Sequence, residues 1–216
     1  MDNINVLIVD DHPMAREAMK EILQEDATFQ VIAEAKNGKE ALLFTEKHMP
    51  DLILMDIRLP DISGIEVTKR IKTLFPYVKI VMVTVSDDVV DLFESIKYGA
   101  QGYLIKHVEH DSWIPYLKAI MDDEMPIDEF LAEQLLREFT EKKSDTPILD
   151  PKLSNREYEI LTWVAKGLTN REISIQLGIS EYTVKNHLKN LFQKLHLSNR
   201  VQLAKYAYEK GIVRPK

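Results

Sequence analysis

The sequence predicts a five-stranded, doubly wound parallel α/β domain followed by a small all-α domain. Three observations carry this. Five short runs rich in Val and Ile, at residues 6–9, 31–33, 52–55, 80–83 and 103–105, recur at wide intervals. Each is too short for a buried helix and suits a strand covered on both faces. Stretches with apolar residues at helical spacing lie between the runs, the alternation that builds a parallel sheet. The charge then changes sign along the chain. Residues 151–216 hold 12 Lys and Arg against 5 Asp and Glu, while residues 1–150 hold 16 against 30. A chain of 216 residues accommodates one or two domains.

Other classes fall away on composition. No apolar run approaches the ~18 residues of a membrane span, and no basic start with a long apolar stretch reads as a secretion signal. Seven Gly and nine Pro are too few for a fibrous chain. The absence of Cys excludes disulfides and thiolate metal sites and fits a cytoplasmic protein.

The helices are read in order. Residues 13–24 place Ala15, Ala18, Met19, Ile22 and Leu23 on one face, and residues 38–48 repeat Ala41, Leu42 and Thr45. Residues 64–75 repeat Ile65, Val67, Ile71 and Leu74. Residues 87–98, capped by Ser86 or Asp87, and residues 111–121 follow the same logic. In such a fold the active edge is the carboxyl end of the strands, at the switch point of the winding.

The strand ends carry residues suited to chemistry. The first strand ends in Asp10 and Asp11, the third in Asp56 and the fourth in Thr84, and Lys106 follows the fifth. Carboxylates converging on one crevice repel each other unless a cation sits among them. Oxygen ligands with open positions suit Mg²⁺. A threonine hydroxyl and a lysine ammonium both suit the oxygens of a phosphoryl group. Singly, these are ordinary loop acids, a strand-end threonine and a solvated lysine; the inference rests on the joint pattern.

These residues lie in VLIVDDHP at 6–13, LILMDIRLPDISGIE at 52–66, VMVTVSDD at 81–88 and GAQGYLIK at 99–106. Over about residues 3–121 the sequence resembles the receiver domain of bacterial two-component response regulators. The resemblance implies that Asp56 accepts a phosphoryl group from a phosphohistidine on a sensor histidine kinase. It implies that Asp10, Asp11, Asp56 and the backbone carbonyl of Arg58 hold Mg²⁺ (or Mn²⁺), and that Thr84 and Lys106 contact the phosphoryl group. Tyr103 matches the aromatic switch position. Two residues depart from the pattern. His107 stands where many receivers have proline, and Val85 stands where a smaller residue is usual. The bulk of Val85 suggests slow loss of the phosphoryl group.

Residues 122–150 read as a partly helical linker, with Ile127, Phe130, Leu131, Leu135 and Phe139 in an amphipathic stripe and an exposed hinge at 144–151. Residues 151–216 read as a helical domain. Ser154 with Glu157 and Thr169 with Glu172 have capping-box spacing. The first precedes Tyr158, Ile160, Leu161 and Val164, the second Ile173, Ile175 and Leu177. Gly167 ends the first helix and Gly178 makes the turn after the second. Ser180 caps a third with Val184, Leu188, Leu191 and Leu195 inside, so the spacing fits a helix-turn-helix. Lys185, Asn186 and Lys189 fall off its apolar stripe; lysine suits phosphate or guanine and asparagine suits adenine.

Over about residues 153–208, the segment LSNREYEILTWVAKGLTNREISIQLGISEYTVKNHLKNLFQKLHLSNRVQLAKYA resembles the LuxR-type helix-turn-helix. With the receiver, the whole chain is similar to NarL/FixJ-type response regulators. This implies a recognition helix over 181–195, with Lys185, Asn186 and Lys189 toward the major groove of double-stranded promoter DNA. Thr169, Asn170, Thr183, His187 and Arg200 are the implied contacts to phosphates, and Val201, Ala204 and Tyr208 the implied dimer surface. The expected protein is a phosphorylation-controlled transcription regulator that dimerises on activation and turns over no separate substrate; RNA polymerase stays open as a further partner, and no membrane is expected. Two competing readings are a DNA-binding regulator independent of phosphorylation and a phosphohydrolase using Asp56. The hydrolase reading needs a general acid two residues after its nucleophile; that residue here is Arg58.

Overall fold

The structure, a computed structural model, describes residues 3–85, 89–106, 112–122 and 153–213. The chain forms two compact units, Met1–Met121 and Asp122–Lys216. The stripe and hinge expected in the linker, the capping residues Ser86 and Asp87, and His107 lie outside the described residues.

The first unit is built on β1 (Ile4–Val9), β2 (Phe29–Ala35), β3 (Leu52–Asp56), β4 (Lys79–Thr84) and β5 (Gly102–Ile105). They form one parallel sheet in the order β2-β1-β3-β4-β5. The helices are α1 (Pro13–Gln24), α2 (Gly38–His48), α3 (Gly64–Leu74), α4 (Val89–Lys97) and α5 (Trp113–Met121). Helices cover both faces, so strand residues are buried whichever way they point. Leu7, Val9, Ile53, Met55, Ile80 and Met82 pack with Ala41, Val67 and Ile71 of α2 and α3. The alternate residues Val6, Ile8, Leu54 and Val81 are equally buried, as are Met19, Ile22 and Leu23 of α1 and Trp113, Leu117 and Ile120 of α5.

Local chemistry sets the helix starts. Pro13 sits at the first position of α1, where its missing N–H costs nothing. Asn37 caps α2 by accepting the Glu40 N–H, and Ser63 caps α3 by accepting the Glu66 N–H. One expectation fails here. Leu74, read as part of the α3 stripe, is 67% exposed at the last residue of the helix. Beside the core residue Ile71, Lys72 is buried near that end, and its ammonium donates to the carbonyls of Val78 and Pro76. A lysine can lie inward when its charge has such acceptors.

Two lysines tie α5 down. Lys79, at the start of β4, donates to the last carbonyls of α5, Ile120 at 2.7 Å and Met121 at 3.0 Å. Lys118 on α5 donates to the Asp26 carboxylate, which also accepts the Thr28 N–H. These bonds to Lys118 and Thr28 hold the Asp26 carboxyl at about 2, below its ordinary 3.8. A depressed folded-state pKa contributes stability that is present above the unfolded value and lost as pH falls through the folded one. Asp26→Asn should therefore flatten the fall of the urea midpoint between pH 3.8 and about 2.

The second unit holds α6 (Asn155–Ala165), α7 (Asn170–Leu177), α8 (Glu181–Leu195) and α9 (Arg200–Glu209). Both capping boxes form, at Ser154 with Glu157 and at Thr169 with Glu172. Gly178, at φ 62°, ends α7 in the left-handed region and turns the chain into α8. Ile160, Leu161, Val164, Ile173, Val184, Leu188, Leu191, Leu203 and Ala207 make one core. Ile175, one of the apolar residues that follow the second capping box, is 70% exposed. Two residues beyond Ile173, it falls about 200° around the helix, on the opposite side.

Candidate functional site

The register brings the strand ends together. Val9 lies opposite Met55, Asp56 opposite Val83, and Thr84 opposite Ile105. Asp10, Asp56, Thr84 and Lys106 therefore share the carboxyl edge of the sheet, beside the place where β1 has β2 on one side and β3 on the other. This is the crevice such a winding opens.

Asp10 is fully buried and Asp56 and Thr84 nearly so. The Lys106 ammonium bridges the two acids, 2.5 Å from Asp10 Oδ2 and 3.0 Å from Asp56 Oδ1. Burial pushes the Asp56 carboxyl above its ordinary range, and Lys106 pulls it back only in part. Burial works to lower the Lys106 pKa, but its bonds to Asp10 and Asp56 outweigh this and hold it above the ordinary value. The Lys106 N–H donates to the Thr84 carbonyl at 2.7 Å, joining the ends of β4 and β5. Tyr103 is half-buried against the core. Its backbone is fastened to α5, since its N–H donates to Tyr116 Oη at 2.9 Å and the Tyr116 hydroxyl donates to its carbonyl at 3.2 Å. Val85, next to Thr84, is 53% exposed.

Asp10, Asp11 and His12 offer ligand atoms within 4.8 Å of one another. His12 Nδ1 is 2.7 Å from Asp11 Oδ1, and the His12 N–H donates to Asp10 Oδ1 at 2.9 Å. With Asp56, the crevice gathers three carboxylates, two of them bridged by the Lys106 ammonium. Such an oxygen-rich, negatively unbalanced donor set fits a hard divalent cation such as Mg²⁺ or Mn²⁺.

Supporting residues that the sequence pattern does not reveal complete the site. Arg16 on α1 donates from Nη1 to the Asp10 carbonyl at 2.8 Å and from Nε to Glu34 Oε2 at 3.0 Å. The loop after β3 carries the exposed Arg58 and folds back beneath Asp56. There the Gly64 N–H donates to the Ile57 carbonyl at 2.8 Å. A Cβ on Gly64 would stand 2.0 Å from the Asp56 carbonyl oxygen. Asp61 latches this loop to the start of α2, accepting the N–H groups of Gly38 at 2.8 Å and Lys39 at 3.0 Å. Arg16 and Asp61 bond to backbone at other elements, so no spacing rule points to them.

In the second unit α8 covers residues 181–195, as expected. Val184, Leu188 and Leu191 face the core; Asn186 and Lys189 are exposed, and Lys185 and His187 are half-exposed. Thr183 donates its N–H to the Ser180 cap at 3.1 Å. Thr169 belongs to its capping box. Two expectations need correction. Asn170, read as a phosphate contact, is fully buried, and its Oδ1 accepts from Arg200 Nη1 at 2.9 Å. Arg200 also donates to the Leu168 carbonyl, so this pair clamps α7 to α9. Ala204, read as dimer surface, is only 8% exposed because it packs into the core beside Leu203 and Ala207. Val201 and Tyr208 are half-buried, and the Tyr208 hydroxyl donates to the Ala165 carbonyl at 3.1 Å.

A doubly wound sheet with a lysine-bridged acidic crevice, in one chain with a helix-turn-helix, defines a regulator with an input unit and a DNA-binding output. Comparison with known proteins agrees. Residues 6–118 match the response regulator receiver domain, and residues 151–207 match the bacterial regulatory proteins of the luxR family. The chain is 35% identical to the transcriptional regulatory protein LnrK of Bacillus subtilis, across 97% of this chain and 98% of that one. It is 34% identical to the nitrate/nitrite response regulator protein homolog of Haemophilus influenzae, across 97% and 99%. Among solved structures it is similar to the response regulator ChrA of a heme-sensing two-component system (28% identity, TM-score 0.51, 99% of this chain and 100% of that one). It is also similar to the RcsB response regulator of Salmonella typhimurium (25% identity, TM-score 0.56, 94% and 98%). The chain belongs to the two-component response regulators that carry a LuxR-type DNA-binding domain. These are transcription regulators rather than enzymes in the ordinary sense. No helix among the described residues is long and apolar enough to cross a membrane.

Proposed function

We propose that Asp56 accepts a phosphoryl group from a phosphohistidine of a sensor histidine kinase, and that this promotes dimerisation and promoter binding. The observation that carries the reading is the Lys106 ammonium placed between the buried carboxylates of Asp10 and Asp56. An Asp56 carboxylate oxygen attacks phosphorus, the P–N bond of the donor breaks, and an acyl phosphate forms. Lys106 and the Thr84 hydroxyl take the phosphoryl oxygens. Asp10, Asp11, Asp56 and the Arg58 carbonyl would hold Mg²⁺ (or Mn²⁺), which would offset the charge on the transferring group. Arg16 fixes the Asp10 backbone, and Asp61 fixes the loop carrying Arg58.

The phosphoryl group adds about −1.5 to −2 charge and up to three charge-assisted hydrogen bonds. At about 1.5–3 kcal/mol each, those bonds reach the ~5.5 kcal/mol that turns a 1:99 equilibrium around. Thr84 then moves toward the phosphoryl group, Tyr103 reorients, and the receiver surface comes to favour dimerisation. The output is a cytoplasmic dimer on two half-sites about one helical turn apart. Lys185, Asn186 and Lys189 face the bases. Thr169, Thr183, His187 and Arg200 stand toward phosphates, Val201 and Tyr208 toward the second copy, and RNA polymerase is a further partner. Residues 1–121 serve as receiver, 122–150 as linker and 151–216 as DNA-binding domain.

Incubation of the full chain with acetyl phosphate and Mg²⁺ tests this. The expected result is an acid-stable, base-labile phosphoryl group mapped to Asp56 by mass spectrometry and absent when EDTA is added. An unmodified protein, or modification at another residue, would overturn the reading.

A further inference from the structure

We propose that Tyr182 is a base-reading residue of the recognition helix, specific for the methyl group of thymine. The inference rests on the promoter-binding reading above and adds to it a chemical preference of one operator position. Polar side chains are the obvious candidates for base contacts on α8; Tyr182 is the aromatic one beside them.

Tyr182 is 74% exposed. The other tyrosines of the same unit, Tyr158, Tyr206 and Tyr208, are all half-buried. Tyr182 is the second residue of α8, directly after the Ser180 cap and Glu181. From it, Lys185, Asn186 and Lys189 lie three, four and seven positions on, so the four share one face. That face is opposite the buried Val184, Leu188 and Leu191.

The placement selects a ligand chemistry. Residues near the start of a recognition helix meet base edges rather than the outer backbone. A tyrosine hydroxyl can donate to a phosphate, but that contact does not discriminate between sequences; what the ring itself can read is apolar. What it finds on the floor of the major groove is the C5-methyl of thymine, the apolar group among the hydrogen-bonding edges. Four helical residues rise about 6 Å, and base pairs are spaced about 3.4 Å apart. The thymine read by Tyr182 thus lies within about two base pairs of the adenine that Asn186 suits.

The test uses the full chain treated with acetyl phosphate and Mg²⁺, as wild type and as Tyr182→Ala. Operator DNA is selected from random duplexes with each protein. Thymines of the wild-type operator are then replaced singly by uracil, which lacks the methyl group. For wild type, uracil at one position within two base pairs of the critical adenine should weaken binding about four-fold, the value of one buried methyl-sized group. Tyr182→Ala should bind the thymine and uracil operators equally and should select sequences with that preference gone. A Tyr182→Ala protein that keeps the thymine-to-uracil difference, or that loses affinity for all sequences alike, would overturn the proposal. Failure of wild type to enrich any sequence would instead reject promoter binding itself, and the proposal with it. Since the Tyr182 side chain is largely in solvent, a folding defect in the variant would also contradict the placement.

Discussion

Replacing Asp56 with Asn leaves a protein that takes no phosphoryl group from acetyl phosphate and no longer responds to it on DNA. The amide keeps the shape of the carboxylate but has no oxygen anion to attack phosphorus. Couplings between sites typically amount to 1–3 kcal/mol, so acetyl phosphate with Mg²⁺ should tighten operator binding by wild type about 5- to 150-fold. The variant should show no change, by fluorescence anisotropy on the same duplex. The substitution should also be well tolerated by the fold. Burial already opposes the charge on Asp56, and Lys106 retains Asp10 as its partner. A variant that still tightens on DNA with acetyl phosphate would place the control elsewhere.

The second large effect is expected at a residue that performs no chemistry. Gly64→Ala puts a Cβ 2.0 Å from the Asp56 carbonyl oxygen and 2.9 Å from its carbon. Both are backbone atoms at the end of β3, so neither can rotate aside. Alanine improves helix propensity by about 1 kcal/mol at most. Overpacking against fixed atoms costs about 1–3 kcal/mol and sometimes more, so the clash wins. The variant should lose about 2 kcal/mol or more of receiver stability in urea denaturation. Its phosphorylation should also slow, because Asp56 must shift to make room. Unchanged stability and rate would mean that the β3–α3 loop is not as tightly set against Asp56 as the geometry requires.

Much of this was legible in the sequence for reasons that are local. Pro13 marks a helix start by its own backbone chemistry, and the Ser154–Glu157 and Thr169–Glu172 pairs form the capping boxes their spacing implies. Asp10, Asp56, Thr84 and Lys106 could be foreseen together because parallel strands bring all their carboxyl ends to one edge. What was not legible is non-local. Asn170 carries a polar side chain at a helix start, yet it is turned inward by Arg200, thirty residues on. Ala204 is small enough to suit an interface or a core, and only its packing beside Leu203 and Ala207 decides. Leu74 and Ile175 are apolar residues that, among the described residues, have no neighbour to cover them.

Lys79 fastens the final turn of α5 to the start of β4, whereas Thr84 closes the far end of the same strand. Five residue steps of about 3.3 Å separate those ends, roughly 17 Å. The described part of α5 thus ends at the pole of the sheet remote from Asp56. If Asp56 is the phosphoacceptor proposed above, the rigidity of the receiver body between those two poles becomes part of what the fold has to supply.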